Sequence, residues 1–300
     1  MTQVLVLANR NAGSGRATRA LPELLNRLRE AGHGITLIDE PTTERAATAL
    51  REATTAEVVI ACGGDGTVHL ALQHALHARI PLGIVPAGSG DDAARAIGLP
   101  YGRRQRSVVH AITHCVEQIS ASRPVDVIWA ETSDGNREAY LGVLAAGFDS
   151  IVNARANALR FPPGTAKYVR AMLSELGRFT PIPYRLEFEQ HTLDIDGMLI
   201  AVGNGSTYGG GMKVCPGADV HDGIAEILIV GEIPKFTFLR LFPKVFSGKH
   251  IHHPAARVLH ASSFTLHAPG QTAWADGEYL GPSPIRITVE RDAVRVVGAP

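Results

Sequence analysis

The chain has 300 residues, 45% hydrophobic and 19% charged, with 29 Lys+Arg balanced by 29 Asp+Glu. That composition is globular and predicts one or two domains, and zero formal net charge excludes the overall basic footprint of a nucleic-acid binder. No apolar run approaches the roughly 18 residues that a membrane-spanning helix needs, and the start MTQVLVLANRNAGSG has no basic leader. Cys62, Cys115 and Cys215 are scattered without a CxxC pair, as expected of free buried thiols in a reducing, cytoplasmic compartment.

The first 120 residues alternate strand and helix patterns. Strands are expected at Gln3–Ala8, Ile35–Ile38, Glu57–Ala61 and Leu82–Val85. Helices are expected at Ala17–Ala31, Glu44–Ala53, Thr67–Ala78, Asp92–Ile97 and Gln105–Ser120. Alternation with apolar strands predicts an α/β, doubly wound parallel sheet. From Pro124 the texture changes. PVDVIWAETSDGNREAYLGVLAAGFD reads as two strands joined by a DG turn. A helical insertion follows over Ala154–Phe179, and then turn-separated strands with one further helix at Lys235–Phe246. The second half is therefore expected to be an antiparallel sandwich or barrel.

Three unusual loops follow predicted strands: NRNAGSGRAT, CGGDGT and PAGSGDDAAR. Ligands of open α/β sheets bind beyond the carboxyl ends of strands. Glycines before a helix N-terminus let an anion approach exposed amides. Each loop alone also reads as a tight turn; three together suit a polyphosphate. A carboxylate among phosphates calls for a bridging cation, so Asp65 and Asp92 suggest Mg2+. Asp91 or Asp92 also reads as a helix cap. Gly88, Gly90 and Ala93 fit G-x-G-x-x-A, yet no ribose-binding acid follows about twenty residues later. There is no Walker-type lysine either.

These residues resemble the diacylglycerol kinase catalytic family, which includes sphingosine kinases and soluble bacterial lipid kinases and is related to the NAD kinases. The resemblance rests on GGDGT (Gly63–Thr67), NRNAGSGRA (Asn9–Ala17) and PAGSGDDAARAIGLP (Pro86–Pro100). It continues through VGNGSTYGGGMKVCPGADVHDGIAEILIV (Val202–Val230) and WADGEYL (Trp274–Leu280). Arg10 replaces the family's proline, Ser89 its threonine and Asp91 its asparagine.

The resemblance implies an ATP-binding α/β domain, residues 1–124 with about 286–300 returning to it. A larger β-rich lipid-substrate domain would cover 125–285, with the active site in the cleft between them. It implies a lipid kinase that transfers the ATP γ-phosphate to a lipid hydroxyl, with diacylglycerol giving phosphatidic acid as the leading reaction. Asn9, Asn11, Gly13, Ser14, Gly15, Gly63, Gly64, Asp65, Gly66, Thr67, Gly88 and Ser89 would bind ATP. Asp65 and Asp92 would organise Mg2+, directly or through water. Asp276 is the expected base, with Glu278 second; two residues apart in an extended segment they would share a face. DGE by itself is a hairpin turn. Asp222, with the backbone of Asp219 and Ile224, matches a structural Mg2+ position; without the resemblance Asp222-Gly223 is a turn.

An NAD kinase-like enzyme and a catalytically silent lipid or nucleotide sensor are the rival readings. The expected partners are a lipid such as diacylglycerol and a membrane surface met peripherally. Asn157–Phe179 either rests on anionic headgroups or packs Leu173 and Leu176 into the core. KHIHH (Lys249–His253) is expected to be a solvated loop rather than a zinc site. The sequence leaves the oligomeric state open, a homodimer included.

Overall fold

The computed structural model describes residues 1–102, 104–159 and 165–300. It divides into two compact units, Met1–Val127 with Arg291–Pro300, and Ile128–Glu290.

The first unit carries β1 (Gln3–Ala8), α1 (Arg16–Glu30), β2 (Gly34–Ile38), α2 (Thr43–Glu52), β3 (Val58–Gly63), α3 (Asp65–Ala78), β4 (Leu82–Pro86), α4 (Asp92–Ile97) and α5 (Gln105–Glu117). Its strands run parallel in the order β4-β3-β1-β2, in register at Val4–Val58, Ile60–Gly83 and Leu5–Thr36. Val4, Val6, Ile60 and Cys62 pack with Leu21, Leu24 and Leu28 of α1 and with Ile112 of α5. The alternate positions Leu5, Leu7, Val59 and Ala61 are equally buried. Both faces of the sheet are thus covered, which is why its strands read as continuous apolar runs. Burial without a cationic partner drives the Cys62 and Cys115 thiols up to about 12, so both are inert.

The second unit begins within β5 (Ser122–Thr132) and continues through β6 (Arg137–Tyr140), β7 (Val143–Gly147), α6 (Phe148–Ala158), α7 (Thr165–Leu176), β8 (Ile182–Glu187), β9 (Thr192–Gly203), β10 (Ala225–Gly231), α8 (Lys235–Leu241), β11 (Ala256–Ala261), β12 (Ser263–His267), β13 (Thr272–Ala275) and β14 (Glu278–Pro282). The last strand, β15 (Ile285–Val297), pairs with β12 over Ile285–Thr288, and its Val296 lies beside Leu82. Pairing within the unit is antiparallel. β9 pairs with β8 along its first half and with both β7 and β10 along its second.

Three expectations need correction. The stretch before the insertion forms three strands rather than two, because the chain breaks at Leu141–Gly142. The insertion starts earlier, at Phe148, as two helices. Residues 160–164 of the Asn157–Phe179 segment lie outside the described residues; within the rest, Leu176 is buried and Leu173 is exposed. The helix expected over Lys235–Phe246 stops as an α-helix at Leu241 and becomes a 3-10 helix over Phe242–Ser247. Pro243 removes an amide donor there.

Candidate active site

In the first unit the glycines of the three loops serve each other. A Cβ on Gly13 (φ 58°) would lie 2.1 Å from the Ala87 carbonyl oxygen, and one on Gly88 would lie 2.3 Å from the Gly64 Cα. The loops after β1, β3 and β4 therefore touch backbone to backbone, and Ala87 N–H donates to the Gly63 carbonyl at 2.7 Å. A side chain at either position would push two loops apart.

On this platform Asn9, Asn11, Ser14 and Ser89 are exposed, whereas Thr67 is buried. Asn9 Oδ1 accepts the Asn11 N–H at 3.1 Å, which fixes the first turn. Gly15 is left-handed (φ 84°) and opens α1. The Thr67 hydroxyl packs under Gly63, so a Cβ there would meet it at 2.3 Å. Arg10 pairs with Asp39 instead of facing the loops.

The acids are tied into the loops themselves. Asp65, in the first turn of α3, accepts the Ala93 N–H at 3.1 Å. The start of α4 is thus closed by a carboxylate from the neighbouring loop and is not an open anion site. Asp91 does not cap it: left-handed (φ 57°), it makes no capping bond and folds back to accept the Gly88 N–H at 3.1 Å. Asp91 is 4% exposed, and burial pushes its carboxyl up, while Arg16, 3.7 Å away, pulls it down. The charge that Asp91 adds is therefore internal to the loops. Asp92 pairs with Arg95 at 3.7 Å. Asp65 Oδ2 and Asp92 Oδ2 converge on Gly90, where a Cβ would stand 2.5 and 3.0 Å from them.

In the second unit, Asp276 and Gly277 are both left-handed (φ 51° and 85°) and form the two-residue turn between β13 and β14. Asp276 and Glu278 therefore do not share a strand face: Glu278 opens β14 opposite Ala275 and is exposed. The turn holds Asp276 half-buried over the break between β6 and β7. There Leu141 N–H donates to Oδ2 at 3.0 Å and Gly142 N–H to Oδ1 at 2.9 Å.

The carbonyls of the same break are also satisfied. Asn204 Nδ2 reaches that of Leu141 at 3.3 Å, and the Asn204 and Gly205 amides reach that of Gly142 at 2.9 and 3.0 Å. Asp276 is thus fixed by backbone that is itself fully bonded. Tyr140 next to the break is fully buried, and burial first, then the Asp276 charge, raises its hydroxyl well above 10. The sequence gives no sign of the roles of Arg16, Tyr140, Leu141, Gly142 and Asn204, although Arg16 stands in NRNAGSGRA and Asn204 in VGNGS.

Asp222 is exposed and accepts the Ile224 N–H at 2.8 Å, while Asp219 Oδ1 accepts the His221 N–H. Among the described residues no cluster of three His, Cys, Asp or Glu side chains is placed to hold a metal ion.

The second unit also has an apolar cavity of about 70 Å3, partly open to solvent and lined by Phe148, Met172, Leu228, Phe238, Leu241 and Val245 among others. His250 lines it too, which corrects the expectation of a solvated loop: this ring is 4% exposed. Its Nε2 donates to the Val214 carbonyl at 3.0 Å, so Nδ1 is a bare acceptor without a hydrogen-bond partner among the described residues. Burial lowers the pKa of His250 and keeps it neutral.

The chain thus has a parallel α/β unit with three interlocked glycine loops and a β-rich unit that holds a bonded aspartate and an apolar cavity. Residues 3–130 match the diacylglycerol kinase catalytic domain, and residues 142–298 match the YegS C-terminal NAD kinase beta sandwich-like domain. The chain is 35% identical over 299 residues to the diacylglycerol kinase of Mycobacterium tuberculosis (strain CDC 1551 / Oshkosh), covering 98% of this chain and 94% of that one. It is 27% identical over 247 residues to a protein of Salmonella paratyphi A (strain ATCC 9150 / SARB42) named "Probable lipid kinase YegS", covering 80% and 77%. In fold it is similar to a diacylglycerol kinase from Bacillus anthracis str. Sterne, with TM-score 0.71 and 18% identity over 99% of this chain and 96% of that one. A second structure from that source gives a TM-score of 0.77 at 20% identity, covering 99% and 96%. The chain belongs to the diacylglycerol kinase family and is a lipid kinase.

Proposed function

We propose that this lipid kinase uses ATP with Mg2+ to phosphorylate the free hydroxyl of diacylglycerol, giving phosphatidic acid. The observation that carries the reading is the apolar cavity of the unit that holds Asp276. Among the described residues its lining contains hydrocarbon and aromatic groups and no Lys, Arg, Asp or Glu, which suits an acyl chain and not the charged NAD of the rival reading. The 35% identical relative named diacylglycerol kinase supports the same acceptor.

The donor side fits as well. Asn9, Asn11, Gly13, Ser14 and Gly15 with Gly63, Gly64, Gly66, Thr67, Gly88 and Ser89 form the interlocked platform for nucleotide. Asp65 and Asp92 aim one oxygen each at the same point beside Gly90. Two carboxylates suit Mg2+, which takes few protein ligands and completes its shell with water and phosphate oxygens. When bound, that ion would neutralise charge on the phosphates. Asp276 accepts the proton of the lipid hydroxyl as the hydroxyl oxygen bonds to the γ-phosphorus and ADP leaves. Its two amide donors keep the carboxylate aimed during the transfer. Glu278, exposed on β14, is the second candidate for that proton. Asp222 with the backbone of Asp219 and Ile224 is the proposed structural Mg2+ position. We place the protein in the cytoplasm, where its three free thiols stay reduced, in peripheral contact with membrane and without a nucleic-acid partner. Among the described residues no helix is long and apolar enough to cross a bilayer.

The test is γ-phosphate transfer from labelled ATP with Mg2+ to diacylglycerol, monoacylglycerol, sphingosine or NAD in mixed micelles. Labelled phosphatidic acid as the dominant product is expected. Labelled NADP, or no product beside measurable ATP binding, would overturn the reading.

A further inference from the structure

We infer that residues 235–253 are the surface by which this protein docks on an anionic phospholipid bilayer. The inference rests on the lipid-kinase reading only for its purpose; the surface itself is read from the segment. KFTFLRLFPKVFSGKHIHH contains two lysine-flanked aromatic steps and no Asp or Glu from Lys235 to His253. Lys235, Arg240, Lys244 and Lys249 are exposed, and Lys213 joins them, its N–H bonded to the Val245 carbonyl at 3.0 Å. Glu232, just before the segment, is the nearest exposed acid in sequence.

Two large aromatics stand among these cations. Phe236 is 63% exposed and Phe246 43%. The Arg240 guanidinium lies 4.2 Å over the Phe236 ring, and Phe246 meets Phe242 edge to face at 6.3 Å. Exposed aromatics ringed by cations combine the two terms of interfacial binding, buried apolar area and attraction to anionic headgroups.

The opposite face of the same segment fixes the assignment. Phe238, Leu241, Val245 and His250 point inward and line the apolar cavity. One short stretch thus forms a wall of the proposed acyl pocket and, on its outer side, a cationic aromatic surface. A lipid bilayer is the partner whose chemistry matches both. Lys235 Nζ donates to the Gly177 carbonyl at 2.6 Å, which ties the segment to the end of α7.

The experiment is co-sedimentation of the full chain with vesicles of phosphatidylcholine, alone or with phosphatidylglycerol. Native protein, Phe236→Ser/Phe246→Ser and Lys244→Glu/Lys249→Glu would be compared, each checked by melting temperature. None of these four residues belongs to the catalytic or pocket machinery. Native protein is expected to bind the phosphatidylglycerol vesicles and to be released by salt, with each lost lysine costing about fivefold in affinity. Both double variants should bind at least about tenfold more weakly while phosphorylating diacylglycerol dispersed in detergent as the native chain does. Should a serine variant fail to fold, Phe246→Trp with brominated lipid replaces it; quenching of that tryptophan is expected. Binding unchanged in both double variants, an unquenched tryptophan, or no binding of native protein would overturn the inference. Native protein that binds through these residues but phosphorylates no detergent-dispersed lipid would support the docking surface while refuting the proposed reaction.

Discussion

Gly142 lies so close to Asp276 that its N–H donates to Oδ1 at 2.9 Å, and a Cβ built on it would stand 2.4 Å from that same oxygen. The glycine is therefore both the donor that aims the carboxylate and the empty space that admits it. Gly142→Ala is expected to lower kcat by at least about a hundredfold by displacing the proposed base. The melting temperature should fall by only about 2–4 °C, because Gly142 is not left-handed and the clash is with one side chain. Steady-state kinetics beside calorimetry checks this. Equal losses of folding and activity would argue against it.

Asp276→Asn keeps the shape and removes the proposed base. An amide offers one oxygen where the carboxylate offers two, so one of the Leu141 and Gly142 amides meets an NH2 group. That costs about 1–3 kcal/mol of stability. The rate should fall by about 10²–10⁴ with the KM for ATP unchanged, since the proposed nucleotide loops belong to the first unit. Glu278→Gln, altering an exposed side chain, is expected to cost far less.

Gly88→Ala tests the interlocked loops. Its Cβ would meet the Gly64 backbone at 2.3 Å, with no flexible group to yield. A loss of about 1–3 kcal/mol is expected, together with weaker ATP binding by titration calorimetry. Gly277→Ala, with nothing near its Cβ, should leave ATP binding intact despite its strained turn.

Arg16 faces a buried aspartate that the sequence shows only as a departure from the family pattern. Arg16→Ala takes from Asp91 the stronger of its two cations, Arg95 being the other, and is expected to destabilise the first unit by about 1–3 kcal/mol. Adding Asp91→Asn removes the charge and keeps an acceptor for the Gly88 N–H. The double variant should therefore recover most of the loss in chemical denaturation.

The pH dependence of stability divides into two windows. Burial lowers the pKa of His250 and, with His77 as a second cause, that of His74, both below the ordinary 6.5. The stability these groups contribute is full above 6.5 and is lost as pH falls through their lowered folded values. Burial raises Asp91 above 3.8 and Glu226 above 4.5. Their share is full below those values and is lost as pH rises through the raised ones. Melting temperature should thus fall on acidification below about pH 6.5. A His74→Leu/His250→Phe variant should show a flatter curve over that range.

The alternation of strands and helices up to α5, the three glycine loops and the DGE turn are legible in the sequence because period and glycine spacing are local signals. The partners of those loops are not. Asp276 meets Leu141 and Gly142 only because β13 pairs with β7, Ala275 opposite Leu144, a pairing across more than a hundred residues. The break in AYLGVLA that frees those amides looks like continuous strand, since nothing in Leu141-Gly142 betrays where its donors go. Asp65 on the Ala93 amide and Gly13 under Ala87 are likewise contacts between loops from different strands. His250 misleads for the opposite reason: KHIHH is polar along the chain, yet one ring of it turns inward against Val214.

The most direct measurement is single-turnover transfer of labelled γ-phosphate to diacylglycerol by native protein and Asp276→Asn, with ATP binding measured on both. Labelled phosphatidic acid from the native chain, lost in the variant at equal ATP affinity, is the expected result. Undiminished product from Asp276→Asn would contradict it.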